Sequence, residues 1–260
     1  MFRLEKFYKP GFNAQQYWDD KYAQEHSVGK NSEEFKQQDF WPLLQKNLDT
    51  NKRYLDANCG MGGWILFLRD EGYNVEGIDT RARTLRAMTE YDPDLKVKIA
   101  PITRIPQPDN SLDGVLAIGS LEYLENDIDK ALQEVHRVLK PGAFILLEVP
   151  VLNTIRKLLY VPLKKIQRMF KKEQPTFAMY LFEKAELQTM LEQKGFTISE
   201  VQSHELPAAN SHYGLYIDWP FLRGFKPYEL NILGRVVKSL SNAISPWIAS
   251  TGMVMVAKKK

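Results

Sequence analysis

A single cysteine, Cys59, among 260 residues excludes an internal disulfide and a cysteine-built metal cluster. That usage fits a reducing compartment. No run reaches the roughly 18 apolar residues that a bilayer-spanning helix needs, so no transmembrane segment is expected. The first ten residues, MFRLEKFYKP, hold no apolar h-region, and no secretory signal is expected there. Internal repeats and low-complexity tracts are also lacking. What remains is ordinary for a soluble globular chain, 44% hydrophobic and 26% charged, enough for one large domain or a domain with a cap. The net charge of +3 is small but unevenly placed. Residues 151–174 carry seven Lys or Arg against one acid, Glu173.

The most informative stretch is Tyr54–Asp79. A short apolar run ends in an acid, Asp56, and a small-residue turn follows from Ala57 to Gly63. Trp64, Ile65, Phe67 and Leu68 then recur at helical spacing, and a second strand, Asn74–Ile78, ends in Asp79. Strand, glycine-rich turn, helix and strand with a terminal acid form the front of a nucleotide-binding α/β sheet. Gly60 and Gly62 let the backbone approach a ligand where a Cβ would clash. The acid ending the second strand can accept two hydrogen bonds from a ribose diol. An NAD site would need G-x-G-x-x-G, whose first position here is Asn58.

Residues 1–50 read as helical and rich in aromatic residues, either a packing segment or an aromatic cap over a ligand. Beyond Asp79 the pattern predicts a helix over 80–90, opened by Thr80 as cap, and a strand over 95–99. A Pro-rich loop over 105–111 leads to a strand over 112–118. A helix over 127–139 and a buried strand over 144–149 come next. Such alternation implies a parallel, doubly wound sheet. The rhythm breaks at 151–174, where Ile155, Leu158, Leu159, Leu163, Ile166 and Met169 recur at three- and four-residue spacing. A helix over 182–194, a strand over 196–201, a long irregular stretch over 203–250 with one helix at 230–244, and a strand over 253–257 complete the chain. The Lys258–Lys260 tail reads as solvated.

In this order the motifs resemble the class I S-adenosylmethionine (SAM) methyltransferases of the type 11 group. Leu55-Asp56-Ala57-Asn58-Cys59-Gly60-Met61-Gly62-Gly63 looks like that family's acid and Gly-Cys-Gly-x-Gly loop. Ile105-Pro106-Gln107-Pro108-Asp109-Asn110-Ser111-Leu112-Asp113 is similar to its Leu-Pro-Phe-Pro-Asp-x-Ser-Phe-Asp loop. Ser120-Leu121-Glu122-Tyr123-Leu124 occupies the slot of its Leu-Glu-His turn. Arg137-Val138-Leu139-Lys140-Pro141-Gly142 is close to its Arg-Val-Leu-Lys-Pro-Gly-Gly signature. Two departures stand out. Asn58 replaces the first loop glycine, and Pro101 sits where the family often has an acid for the adenine amino group.

The resemblance implies an α/β, doubly wound, mostly parallel seven-stranded sheet with an antiparallel last strand and a helical or loop lid. It implies one domain overall: a cap over 1–50, a SAM-binding core over 51–150, a basic amphipathic insertion over 151–181, and the rest of the core over 182–260 with a lid at 203–250. SAM is the implied cofactor, with no metal. Asp56, Asn58, Gly60 and Gly62 would line its methionine half, and Asp79 would hold the ribose with Thr80 beside it. Ile102, Ile118 and Gly119 would flank the adenine and the amino acid moiety, and Tyr17 or Trp18 would cover the cofactor. An oxygen or nitrogen nucleophile needs a base, and histidine suits that role. His204 and His212 fall in the lid, and His212 in Ser211-His212-Tyr213 is the first candidate, with Tyr123 as a second substrate contact; His136 reads as structural.

The expected reaction is O-methylation of a glycan, lipid-linked or small amphiphilic substrate. C-methylation of a quinone-like ring and a non-catalytic SAM-binding role are the alternatives. The basic segment 151–174 suits an anionic membrane or an acidic substrate, whereas no nucleic-acid module is present. The expected location is cytoplasmic, with peripheral contact at the inner face of a membrane.

Overall fold

The computed structural model describes residues 5–9, 13, 16, 32–170, 176–206, 220–222, 224 and 229–260. Its centre is a seven-stranded sheet in the order β4-β3-β2-β5-β6-β9-β8. The strands are β2 (Arg53–Ala57), β3 (Asn74–Asp79), β4 (Val97–Ile99), β5 (Leu112–Ile118), β6 (Leu139–Pro150), β8 (Phe196–His204) and β9 (Gly252–Lys259). Pairs from β4 through β6 are parallel, and β9 runs antiparallel to both β6 and β8. This is the α/β arrangement expected, with the antiparallel strand inserted before the edge.

Both faces are covered, so the central strands are largely apolar, with charged residues near their ends. Leu55, Val115 and Ile145 enter one core cluster, while their neighbours Tyr54, Leu116 and Leu146 enter the other. The period of two thus builds two cores from the same strands. Helix α5 (Ile128–Val138) supplies Ile128, Ala131, Leu132 and Val135 to the first. Helices α2 (Trp41–Gln45) and α3 (Gly63–Asp70) supply Trp41, Leu44, Ile65 and Phe67 to the second.

Three expectations change. Residues 5–9, read as part of a helical segment, form β1, which pairs antiparallel with β7 (Thr176–Leu181) in a separate two-stranded sheet. Tyr8 meets Phe177 edge-to-face, and Lys6 lies 5.7 Å above the Phe177 ring. A partner some 170 residues away overrides the local preference of a short segment. The C-terminal lysines are not a free tail. Lys259 lies within β9, and its ammonium donates to Asn110 Oδ1, His136 O and Leu139 O. Arg156, counted in the basic stretch, is 1% exposed and donates to the carbonyls of Val151 and Thr251. It ties the segment after β6 to the start of β9.

The carboxyl ends of β2, β3, β5, β6 and β8 therefore share one edge. At that edge stand the turn after β2, Asp79, Gly119, Glu148 and His204. Ligands of open α/β sheets bind at such an edge, where strand order reverses.

Candidate active site

The turn after β2 winds through three left-handed positions: Asn58 at φ 69°, Gly60 at φ 53° and Gly62 at φ 72°. Asn58 adopts the geometry that glycine would take, as asparagine can at modest cost, so this departure leaves the turn intact. A Cβ on Gly62 would stand 2.1 Å from Met88 Cε. The Asn58 and Cys59 amides donate to Ile78 O at 2.8 and 2.9 Å, fastening the turn to β3.

Asp79 is 0% exposed and holds the turn in place. Its Oδ2 accepts from the Gly60 amide at 3.0 Å, and its Oδ1 accepts from the Arg81 amide at 2.9 Å and from Arg81 Nη1 at 3.3 Å. Asp56 lies next door, 3% exposed. Burial, followed by the charge of Asp79, pushes its carboxyl up to about 7. Helix α4 (Ala82–Tyr91) is capped at Arg81 without a side-chain bond, so the expected Thr80 cap is replaced by the Asp79 carboxylate; Thr80 is exposed.

Asp56, Asn58, Gly60, Gly62, Asp79 and Thr80 thus converge at the ends of β2 and β3. Ile118 and Gly119, the latter at φ 59°, stand at the end of β5, the neighbour of β2. Ile102 does not join them. At 1% exposure its side chain belongs to the same core cluster as Leu55 and Ile78. Pro101 is exposed and has no side-chain acceptor. Tyr123 packs against the Tyr160, Ala178 and Met179 cluster. Tyr17, Trp18 and His212 lie outside the described residues.

A second group of polar side chains adjoins Gly119, and the sequence reading did not assemble it. His204 was read as a lid residue. It is instead the last residue of β8, 2% exposed. Its partner in β9 is Gly252, where a Cβ would sit 3.3 Å from the imidazole Cδ2. The same Cβ would meet Leu206 Cγ first, at 2.8 Å, so the glycine makes room chiefly for Leu206 beside the ring, which reaches across β9 toward β6. His204 Nε2 reaches 2.7 Å from Glu148 Oε1, a close ion-pair contact without good hydrogen-bond direction. His204 Nδ1 lies 2.5 Å from Asp39 Oδ1, and Phe40 closes on the ring edge-to-face. Burial opposes charge on this imidazole, but Glu148 and then Asp39 outweigh it and raise its pKa above the ordinary value.

Glu122, in the 3-10 turn Leu121–Tyr123, is 4% exposed. Burial and then Glu148 push its carboxyl up to about 8, so it stays protonated near neutrality. Glu122 Oε2 and Ser120 Oγ are buried without a hydrogen-bond partner among the described residues. A Cβ placed on Gly119 would stand 3.8 Å from Glu122 Oε1 and 4.0 Å from Glu148 Oε2. Gly119 therefore leaves open the space between the two carboxyls.

These shifts fix a pH dependence of stability. A folded-state pKa above the unfolded value means the folded chain holds the extra proton. That stability is full below the unfolded value and is lost as pH rises through the folded one. Asp56, Glu122 and His204 all act in this direction. The melting temperature should fall from pH 5.5 to pH 8, at most about 1.4 kcal/mol per pH unit for each titrating group. Glu122→Gln should flatten the slope; a thermal melt series with an unchanged slope would show that Glu122 is not held protonated.

Residues 55–147 match the family model described as a methyltransferase domain. A sterol 4-C-methyltransferase of Caenorhabditis elegans is 33% identical over 101 residues, 36% of this chain and 30% of that protein. A malonyl-[acyl-carrier protein] O-methyltransferase of Hamiltonella defensa is 27% identical, covering 45% of each chain. A demethylmenaquinone methyltransferase of Lactiplantibacillus plantarum is 29% identical over 66% of this chain and 81% of its own. The chain thus spans only 30% and 45% of the first two of these relatives. Among solved structures, a SAM-dependent methyltransferase from Methanosarcina mazei superimposes with a TM-score of 0.60 at 20% identity, covering 84% of this chain and 97% of its own. A Pyrococcus horikoshii protein gives 0.61 at 18% identity, covering 96% and 100%. The fold is the Rossmann-like one of the class I methyltransferases. Within it, residues 55–147 match a methyltransferase domain, and the solved proteins of that fold include SAM-dependent methyltransferases.

The residues at the edge fit that cofactor. SAM carries a sulfonium and an ammonium against one carboxylate, a net cation. The edge offers carboxyls at Asp56, Asp79, Glu122 and Glu148. The turn offers backbone without side chains at Gly60 and Gly62.

Proposed function

We propose that this chain methylates a hydroxyl of a glycan, lipid-linked or small amphiphilic acceptor, using SAM. The observation that carries the reading is the placement of the Glu122–Glu148–His204 group beside the glycine turn, with Gly119 between them. When bound, SAM supplies a methyl group already activated by its sulfonium, so the protein has to align the acceptor, exclude water and dispose of a proton. The turn and Asp79 would hold the cofactor. Glu148 would take the hydroxyl proton while the bonding pair stays on the acceptor oxygen. His204, steadied by Asp39, would keep Glu148 in place and compensate its charge. Glu122, protonated, is able to donate to the acceptor.

The demethylmenaquinone methyltransferase relative favours a second reading, methylation at a ring carbon. A ring-carbon acceptor already activated by its own hydroxyl has less use for a buried carboxylate–imidazole pair. The malonyl-[acyl-carrier protein] O-methyltransferase relative supports the oxygen reading. The non-catalytic alternative rested on Asn58 and Pro101, and the left-handed Asn58 removes half of that motive.

Calorimetric titration with SAM and with its demethylated product tests the reading. Both should bind at roughly micromolar levels, about −8 kcal/mol. Binding of neither would overturn it.

A further inference from the structure

Exposed large hydrophobic side chains are concentrated on two helices. Twelve of the fourteen among the described residues lie between 158 and 170 or between 221 and 244. The first group begins in a π-helical turn, Arg156–Tyr160, and continues through α6 (Val161–Met169). Arg156 and Tyr160 point inward, whereas Leu163 is 47%, Ile166 54% and Met169 81% exposed. From Pro162 to Phe170 every side chain whose burial is described is exposed. The second group lies on α8 (Ile232–Ile244), where Leu233, Val236, Leu240 and Ile244 form a stripe at 50–80% exposure. Val237, four residues after Leu233, packs on Leu222 at one border of that stripe, and the buried Gly234 lies beyond it on the inward side.

The roots of the two helices are joined. Ile155 and Val237 both pack on Leu222. Asn153 Nδ2 donates to Ser250 O and Arg156 to Thr251 O, fastening the root of the first helix to the chain just past the second. Both helices leave the edge of the sheet that carries Gly119, Glu148 and His204, since the first follows Pro150 and the second precedes Gly252, its partner in register.

Charge selects what covers such a face. The sequence from 151 to 172 holds seven Lys or Arg and no acid, and that from 231 to 248 holds Arg235 and Lys238 and no acid. Some of this charge is met within the chain, by Lys157–Glu183, Lys165–Glu5 and Lys238–Glu205 ion pairs at 2.7–3.3 Å. A second copy seated on the same face would set basic against basic, because a two-fold contact is self-complementary. Apolar side chains among lysines match a lipid surface with anionic headgroups. A helix of 13 residues spans only about 20 Å, short of the roughly 30 Å hydrocarbon core. Among the described residues no helix is long and apolar enough to cross a membrane. Contact would be lateral.

We propose that α6 and α8 together form a docking surface for an anionic lipid bilayer, which presents an acceptor in the lipid phase to the adjacent edge of the sheet. The inference deepens the reading above by naming the surface from which the acceptor is taken, and vesicle binding is measured without SAM. Failure of one reading is therefore distinguishable from failure of the other.

The test is co-sedimentation of the full chain with phosphatidylcholine vesicles and with vesicles holding roughly one-third phosphatidylglycerol. The chain should pellet with the anionic vesicles, stay in solution with neutral ones, and release in about 0.5 M salt. Leu163→Asp with Ile166→Asp, and separately Val236→Asp with Leu240→Asp, should each lower partitioning about tenfold or more. These side chains are exposed, so the melting temperature and SAM titration should match the parent. Lys164→Glu, Lys165→Glu and Arg168→Glu together should do the same through charge. Wild type that stays in solution with anionic vesicles, or variants that pellet as well as wild type, would overturn the proposal. Sedimentation as a dimer without any lipid binding would overturn it in favour of a second copy.

Discussion

Glu148→Gln is expected to lower turnover by about 10²- to 10⁴-fold, the range for loss of a general base, while SAM affinity stays within about twofold. The substitution keeps volume and shape and removes the one ionisable carboxylate that faces both His204 and the gap beside Gly119. A merely structural role would move stability and leave the reaction alone. An NMR titration of the His204 imidazole separates the two. In wild type its pKa lies above the ordinary value because Glu148 and Asp39 outweigh burial. In Glu148→Gln it should fall, since burial remains and the more deeply buried anion is gone. Turnover at wild-type rate, with the imidazole shifted as described, would leave the pair structural and favour methylation at carbon. Asp39→Asn should act more weakly, because Asp39 is 46% exposed and its charge is screened by water.

Asp79→Ala should abolish detectable SAM binding or weaken it by about 1–3 kcal/mol, the range for removing a charged hydrogen-bond partner. A second effect comes with it. The carboxylate satisfies the amides of Gly60 and Arg81 and faces the Arg81 guanidinium, all within the protein. Its removal strands these groups in a buried site, at about 3–5 kcal/mol of stability. Asp79→Asn retains an acceptor and the side-chain volume. Its NH2 must then face either the Gly60 or the Arg81 amide, so it should lose stability, though less than Asp79→Ala, and bind SAM less tightly. Calorimetry on Asp79→Asn with unchanged affinity would reject the turn and Asp79 as the cofactor cradle, whatever Asp79→Ala does to folding.

The sheet was legible because its strands are short apolar runs with local punctuation. Asn74–Asp79 and Leu112–Ile118 read as strands to the residue. The glycine turn was legible for the same reason: left-handed backbone selects its residues locally, and Asn58 obeys that rule as well as a glycine. The burial of Ile102 in the sheet core was not legible, because its neighbourhood in sequence says nothing about which way its side chain faces. Glu5–Lys9 failed as a helix because its partner lies at 176–181. His204 was visible as a candidate base but was placed in a lid. Its real setting depends on β8 pairing with β9 and β9 with β6, which brings His204 to Glu148 across some 56 residues of sequence.

The sequence by itself determined the alternation of strands and helices, the left-handed turn after β2, the acids at the strand ends and the concentration of basic and apolar residues after β6. Each of these is a short-range property, set by backbone preference, periodicity or composition. Tertiary structure alone decided which carboxyls were buried beside which. It raised Asp56 and Glu122 toward neutrality, set His204 between Glu148 and Asp39, buried Arg156, and left α6 and α8 with apolar faces that nothing in the described chain covers. The reason is that burial and charge pairing depend on distance in space. Strands far apart in the chain meet at a single edge of the sheet, and the proton-holding groups exist as a set only where they meet.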